Sequence, residues 1–265
     1  MNNRQGFQFG VKCYSQALSF IINNKLAWYF IFPLVFNVLL FFAGFYSVSS
    51  LGDSFITSLG EWINIEEWTF WGAGFVVGLI KGFIWVVIRL LFFFIYAYVG
   101  GYIILILMSP VFALLSEKTE RILTGKDMPF DMAQFVQDII RGVLLAVRNL
   151  GIELLLTLVL FALSFIPIVG YFTAIALLFV SAYFYGFSFL DYTFERRKFK
   201  IKASIDFMRR NKGLAIGNGF VFSLVLLIPY VGVMIAGFVA IISVVAATLS
   251  ACKAIEEDKT IELGL

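Results

Sequence analysis

The stretch that most limits what this chain can become is Leu150–Tyr192, an apolar run broken once, at Ile166-Pro167-Ile168-Val169-Gly170. About fourteen apolar residues precede the break, from Ile152 to Phe165, and about twenty follow it, from Tyr171 to Leu190. Proline lacks an amide donor and glycine takes left-handed angles readily, so Pro-x-x-Gly between apolar runs predicts a tight helical turn. At ~1.5 Å per residue the first arm reaches only ~21 Å, against a hydrocarbon layer ~30 Å thick. An arm that short enters, turns among other helices and leaves by the side it came from, provided protein covers its irregular backbone. The device recurs further on, where Leu214–Leu227 leads to Ile228-Pro229-Tyr230-Val231-Gly232 and then to Val233–Cys252. Two ordinary crossing pairs joined by loops are the alternative, and arm length favours partial insertion.

Composition places both hairpins in an integral membrane protein. Hydrophobic residues make up 61% of the 265 and charged residues 14%, where soluble chains carry roughly 25% charge. Continuous apolar blocks exclude a transmembrane β-barrel, whose strands alternate over ~10 residues. The expected fold is therefore all-α: two long transmembrane helices, two partly inserted helical hairpins and amphipathic interfacial helices, in one membrane domain spanning 1–265.

Residues 1–24 predict an interfacial helix, with Phe7, Val11, Tyr14, Leu18, Ile21 and Ile22 opposite Gln8, Lys12, Ser15, Gln16 and Ser19. Residues 26–48 form the first long span, with Asn37 inside it facing either a neighbouring helix or a pore. Ser49–Trp68 carries Asp53, Glu61, Glu66 and Glu67 without a cation, so this loop is expected outside, with Trp62, Trp68 and Trp71 at headgroup level. The second long span covers 70–116, with Lys81 and Arg89 expected in or beyond the outer headgroup zone. Residues 130–148 read as another interfacial helix, from Met132, Phe135, Val136, Ile139, Ile140, Val143, Leu144 and Val147. Hairpin 1 is expected over 150–192, a basic cytoplasmic segment over 193–213 and hairpin 2 over 214–252.

The chain has no histidine, and Cys13 and Cys252 stand alone, so neither imidazole chemistry nor a zinc or disulfide framework is expected. No cofactor is expected. Serine and aspartate without a base partner argue against an enzyme. No acidic residue lies mid-run, as a proton-coupled pump would ordinarily require, and no nucleotide-binding loop appears. Eight cations between Arg196 and Lys212 suit anionic lipid headgroups at ~1 kcal/mol each or concentrate an anion; no nucleic-acid module accompanies them. The amides that open each hairpin's second helix, at Gly170 and Gly232, are candidates for holding an oxyanion. These glycines serve equally to permit the turn.

Several stretches together resemble the CysZ sulfate-transporter family, which is related to the etoposide-induced-protein domain. They are Gly6-Phe7-Gln8-Phe9, Phe32-Pro33-Leu34-Val35-Phe36-Asn37-Val38-Leu39-Leu40, Ser109-Pro110-Val111-Phe112-Ala113-Leu114-Leu115-Ser116-Glu117, Phe187-Ser188-Phe189-Leu190-Asp191-Tyr192 leading to Arg196, and the two Ile-Pro turns. The resemblance implies a bacterial inner-membrane permease or channel for a small anion, sulfate first, associating as a homo-oligomer. Both chain termini are expected in the cytoplasm. The alternative is a non-transporting membrane scaffold or assembly protein with the same fold. Sulfate-type members carry Pro-Gly-(Leu/Ile)-Arg-Arg before the first span; here the matching residues are Asn24-Lys25-Leu26-Ala27-Trp28. Lys25, with Asn23, Asn24 and Leu26, is the substrate-site candidate that this match implies, although an ammonium cannot fork onto a tetrahedral anion as a guanidinium does.

Overall fold

The computed structural model describes residues 2–62, 73–125, 132–229 and 231–258. Among these the elements are helical: α1 (Asn3–Asn23), a 3-10 turn (Leu26–Phe30), α2 (Ile31–Trp62), α3 (Ala73–Leu107), α4 (Ser109–Thr124), α5 (Met132–Ser164), α6 (Val169–Arg196), α7 (Ile201–Arg210), α8 (Lys212–Leu226) and α9 (Val231–Glu257). Five apolar stretches of this set are long enough to cross a membrane: Leu26–Tyr46, Gly74–Leu91, Val147–Ser164, Val169–Arg196 and Val231–Glu257. The protein is an all-α membrane protein.

The core forms where α1, α6 and α9 surround α8, and small side chains make that possible. A methyl placed on Gly219 would overlap the Ala182 carbonyl oxygen, and one on Gly186 would overlap that of Ala215. On its other side α8 meets α1, where Gly213 lies against the Asn3 carbonyl and Gly217 against that of Phe7. Helices in lipid gain little from burying apolar area against one another, so close backbone approach between small residues carries much of their association. The spacings that supply it are Gly6-x3-Gly10, Ala182-x3-Gly186, Gly213-x3-Gly217 and Ala215-x3-Gly219. Helix α9 completes the core with Ala236, Ala240, Val244, Ala247 and Ala251, all buried. Several polar groups inside are paired, although Ser223 Oγ of α8 is buried without a partner among the described residues. Asn218 Nδ2 donates to the Leu214 carbonyl and to Ser250 Oγ, each at 2.9 Å, and the Tyr14 hydroxyl donates to the Asn218 carbonyl.

This packing revises the expected role of α1. Its buried stripe is Gly6, Gly10, Cys13, Tyr14, Ala17 and Ile21, whereas Leu18 and Ile22 are exposed. The protein-facing side thus combines small residues with Tyr14 and Ile21, while Leu18 and Ile22 lie away from the core.

Several expected boundaries also move. The interfacial helix expected over 130–148 and the first arm of hairpin 1 are one helix, α5, of 33 residues. Charge at Arg148 does not end a helix, and no proline interrupts the sequence there. The second long span divides at Met108, because Pro110 cannot donate to the preceding turn and α4 begins with it. Helix α2 continues to Trp62, so 49–62 is helical rather than loop. Glu66, Glu67, Trp68, Trp71 and Tyr230 lie outside the described residues. Arg89 stacks its guanidinium over the rings of Phe45 and Trp85, 4.8 and 5.1 Å from their centroids, and so ties α3 to α2. Asn37 donates back to the Pro33 carbonyl at 2.7 Å.

Both Ile-Pro turns fall at the residues that the sequence marked. In the first, the left-handed angle belongs to Ile168 (φ 73°) and not to Gly170. Gly170 is needed instead because its Cα passes close to the Ser164 carbonyl, as Gly232 passes close to that of Val225.

Candidate functional site

Three places bear on anion chemistry. At the hairpin turns, the Gly170 amide donates to Ile166 O at 3.1 Å and the Gly232 amide to Ile228 O at 2.9 Å. Those donors are spent on closing the turns. Among the described residues the turn surfaces are mainly apolar: Phe165, Ile168, Phe172, Leu227 and Val231 are all exposed, beside the exposed Tyr171. The hydroxyls that flank the first turn fold back on their own backbone, Ser164 onto Phe161 O at 2.6 Å and Thr173 onto Gly170 O at 2.7 Å.

At the junction of α1 and the 3-10 turn, Lys25 takes a left-handed conformation (φ 55°), and its side chain is exposed. The Asn24 amide donates to Phe20 O at 3.1 Å and the Lys25 amide to Ile22 O at 3.3 Å, while Asn24 Nδ2 caps Phe20 O at 2.9 Å. The Asn24 and Lys25 amides are therefore engaged by the backbone, at the carbonyl end of a helix where the dipole favours cations. Leu26 is buried and contributes packing. What remains is the exposed Lys25 side chain; its neighbours Asn23 and Asn24 line a depression of about 430 Å³ together with Ser15, Gln16, Ser19 and Phe20. The structure thus places Asn23, Asn24, Lys25 and Leu26 together in sequence and space, with Gly170 and Gly232 at separate turns.

The third place was missed in the sequence. On α4, Glu120 is buried, 5% exposed in its side chain, between Arg196 and Arg197 at the end of α6. Arg196 Nη2 and Arg197 Nε each reach a Glu120 oxygen at 2.8 Å. Burial alone would lower the Arg197 pKa, but the Glu120 carboxylate more than offsets this and holds it above the usual arginine value. Arg196 Nη1 is buried and has no hydrogen-bond partner among the described residues. Nearby, Arg141 of α5 forms a two-point pair with Asp191 of α6, both bonds 3.0 Å. Arg141 also donates to Phe199 O at 3.1 Å and to Ser204 Oγ at 2.7 Å, fastening α7 and the preceding linker to hairpin 1. The basic segment is thus partly an internal ion network, and Arg210 adds an exposed pair with Asp258 at 3.4 Å. Partners 48 to 77 residues apart leave no local signal; only the surplus of cations in 193–213 was visible.

These features define an all-α membrane protein with polar and ionic groups gathered where its hairpins open. The family described as "Sulfate transporter CysZ/Etoposide-induced protein 2.4" matches residues 13–236, and the chain belongs to it. Similar proteins include the "Sulfate transporter CysZ" of Pseudomonas fluorescens, 25% identical over 225 residues, covering 83% of this chain and 84% of the relative. That of Pseudomonas aeruginosa is 26% identical over 231 residues, 85% and 88% of the two chains. The Pectobacterium atrosepticum protein of the same name is 27% identical over 212 residues, 77% and 72% of the two. The relatives are named as transporters, and the chain is a transporter-family protein rather than an enzyme.

Proposed function

We propose that the protein conducts a small tetrahedral oxyanion, sulfate first, across a bacterial inner membrane without a cofactor. The observation that carries this reading is the family match over 13–236, joined to relatives named for sulfate transport that align with most of their own length. The protein works as a permease or channel in a homo-oligomer, with both termini and the 193–213 segment on the cytoplasmic side. Anionic headgroups meet the cations of 196–212 that the internal network leaves exposed. Lys25 is the outlying anion contact, since it is exposed and directly follows Asn23 and Asn24, which line a neutral polar depression.

Both hairpins dip into the membrane from the cytoplasmic side and return. Two facts support this. Helix α8 has 15 residues, ~22 Å against a hydrocarbon layer of ~30 Å. Among the described residues the turns also present mostly apolar side chains, which suits hydrocarbon more than water. Helices α6 and α9, with 28 and 27 residues, and the Val147–Ser164 stretch of α5 are long enough to favour a second reading in which the hairpins cross. A scaffold role without transport is the functional rival.

The test is uptake of labelled sulfate into proteoliposomes. Uptake well above empty vesicles is expected, with Lys25→Ala reducing it by less than about tenfold, because a single exposed charge adds little. Uptake equal to that of empty vesicles would contradict the transport reading and favour the scaffold.

A further inference from the structure

We propose that Arg196 and Arg197, held by Glu120, form a half-buried site for a tetrahedral oxyanion on the cytoplasmic side of α6. The proposal rests on the oxyanion reading above and gives it a location. Two guanidinium charges face one carboxylate, so the cluster keeps one positive charge. The side chains are 13% and 21% exposed, so the guanidinium groups keep partial contact with water while Arg196 Nη1 itself is enclosed. Arg196 uses Nε (3.3 Å) and Nη2 (2.8 Å) on Glu120 Oε2, leaving Nη1 buried without a partner among the described residues. A buried cationic donor left unmade is costly, and such a group asks for an occupant. An oxyanion supplies both the missing acceptor and the missing charge, where a water molecule supplies only the first. Guanidinium geometry suits sulfate, phosphate or a lipid phosphodiester, because its parallel N–H groups match two oxygens of a tetrahedron. Glu120 then acts as a resident competitor: it keeps the arginines ordered when the site is empty and weakens the anion's hold, which lets it leave.

Binding of labelled sulfate to the purified protein in phospholipid-free detergent tests this, alongside retention of phosphatidylglycerol measured by native mass spectrometry. Arg196→Lys keeps a cation for Glu120 but removes the open edge, so sulfate affinity should fall about tenfold or more. Its elution profile and unfolding midpoint without sulfate should match the wild type. Glu120→Gln frees both arginines, so affinity should rise severalfold, and sulfate should raise its unfolding midpoint more than that of the wild type. A purely structural role for Glu120 gives no such gain. If Arg196→Lys lowers phosphatidylglycerol retention while sulfate does not bind, the site holds a lipid phosphate. If neither ligand responds to Arg196→Lys, or neither binds the wild type, the site is overturned whatever the flux. Loss of flux with Arg196-dependent binding intact would instead count against transport alone.

Discussion

Hairpin 1 (α5 and α6) and hairpin 2 (α8 and α9) share an Ile-Pro-x-x-Gly turn, yet their arms live in different surroundings. In the most apolar part of α5 only 6% of residues are buried, whereas 61% are in that of α9. The short arm α8 is central, with Leu214, Ala215, Phe222 and Asn218 fully enclosed. Side-chain size accounts for the contrast. Helix α8 offers glycines at spacings that admit neighbouring backbones, while α5 presents Leu150, Leu154, Leu155 and Leu158 outward. The hairpins also differ in what ties them down. Hairpin 1 is fastened by a buried ion pair, Arg141–Asp191, and hairpin 2 by neutral amide and hydroxyl groups, Asn218–Ser250. A turn motif therefore fixes where a membrane hairpin bends, and the residues lining its arms decide whether protein or lipid covers it.

The sharpest way to break this comparison is steric. Gly219→Leu in hairpin 2 should cost about 3 kcal/mol or more, since even its first carbon would overlap the Ala182 carbonyl. Gly151→Leu in hairpin 1, where nothing lies within 4 Å of the added carbon, should leave the unfolding midpoint in detergent nearly unchanged. Equal effects of the two would refute the contrast. Next come the fasteners. Asp191→Ala strands Arg141 and should cost about 3–5 kcal/mol; Asn218→Ala should cost about 1–3 kcal/mol, both read from chemical unfolding in mixed micelles. The smallest effect concerns Cys13, where α1 meets the core. Burial pushes this thiol up to about 11 from 9.0, against the pull of Lys253 and Lys12. The folded state therefore keeps the proton that the unfolded chain releases, and the Cys13 contribution to stability is lost as pH rises from 9.0 to about 11. Maleimide labelling of Cys13 at pH 8 should proceed only as the protein unfolds.

The helical membrane class and the two turns were legible in the sequence because proline and uninterrupted apolar runs act locally. The continuity of α5 is not legible, since the polar step Arg148-Asn149 looks like an interface boundary but carries no backbone constraint. The core was only half legible. Gly213-x3-Gly217 and Ala182-x3-Gly186 stood in plain view, but which helices they join depends on the three-dimensional arrangement. The candidate site shows the same limit. Lys25 could be placed by its neighbours in sequence, but the Glu120–Arg196–Arg197 cluster joins helices 76 residues apart. Gly170 and Gly232 were correctly marked as turn residues, yet their amides serve the turns.

The account turns on where the hairpin tips lie, and one measurement reads this directly. In a Cys13→Ala, Cys252→Ala background, Tyr171→Cys and Leu227→Cys would be treated from outside with a membrane-impermeant maleimide, with Ser58→Cys, in the segment proposed to face outside, as the control. The control should label while both tip positions stay protected in hydrocarbon. Labelling of Tyr171→Cys or Leu227→Cys as complete as that of the control would place the tips in the outer water and contradict the account.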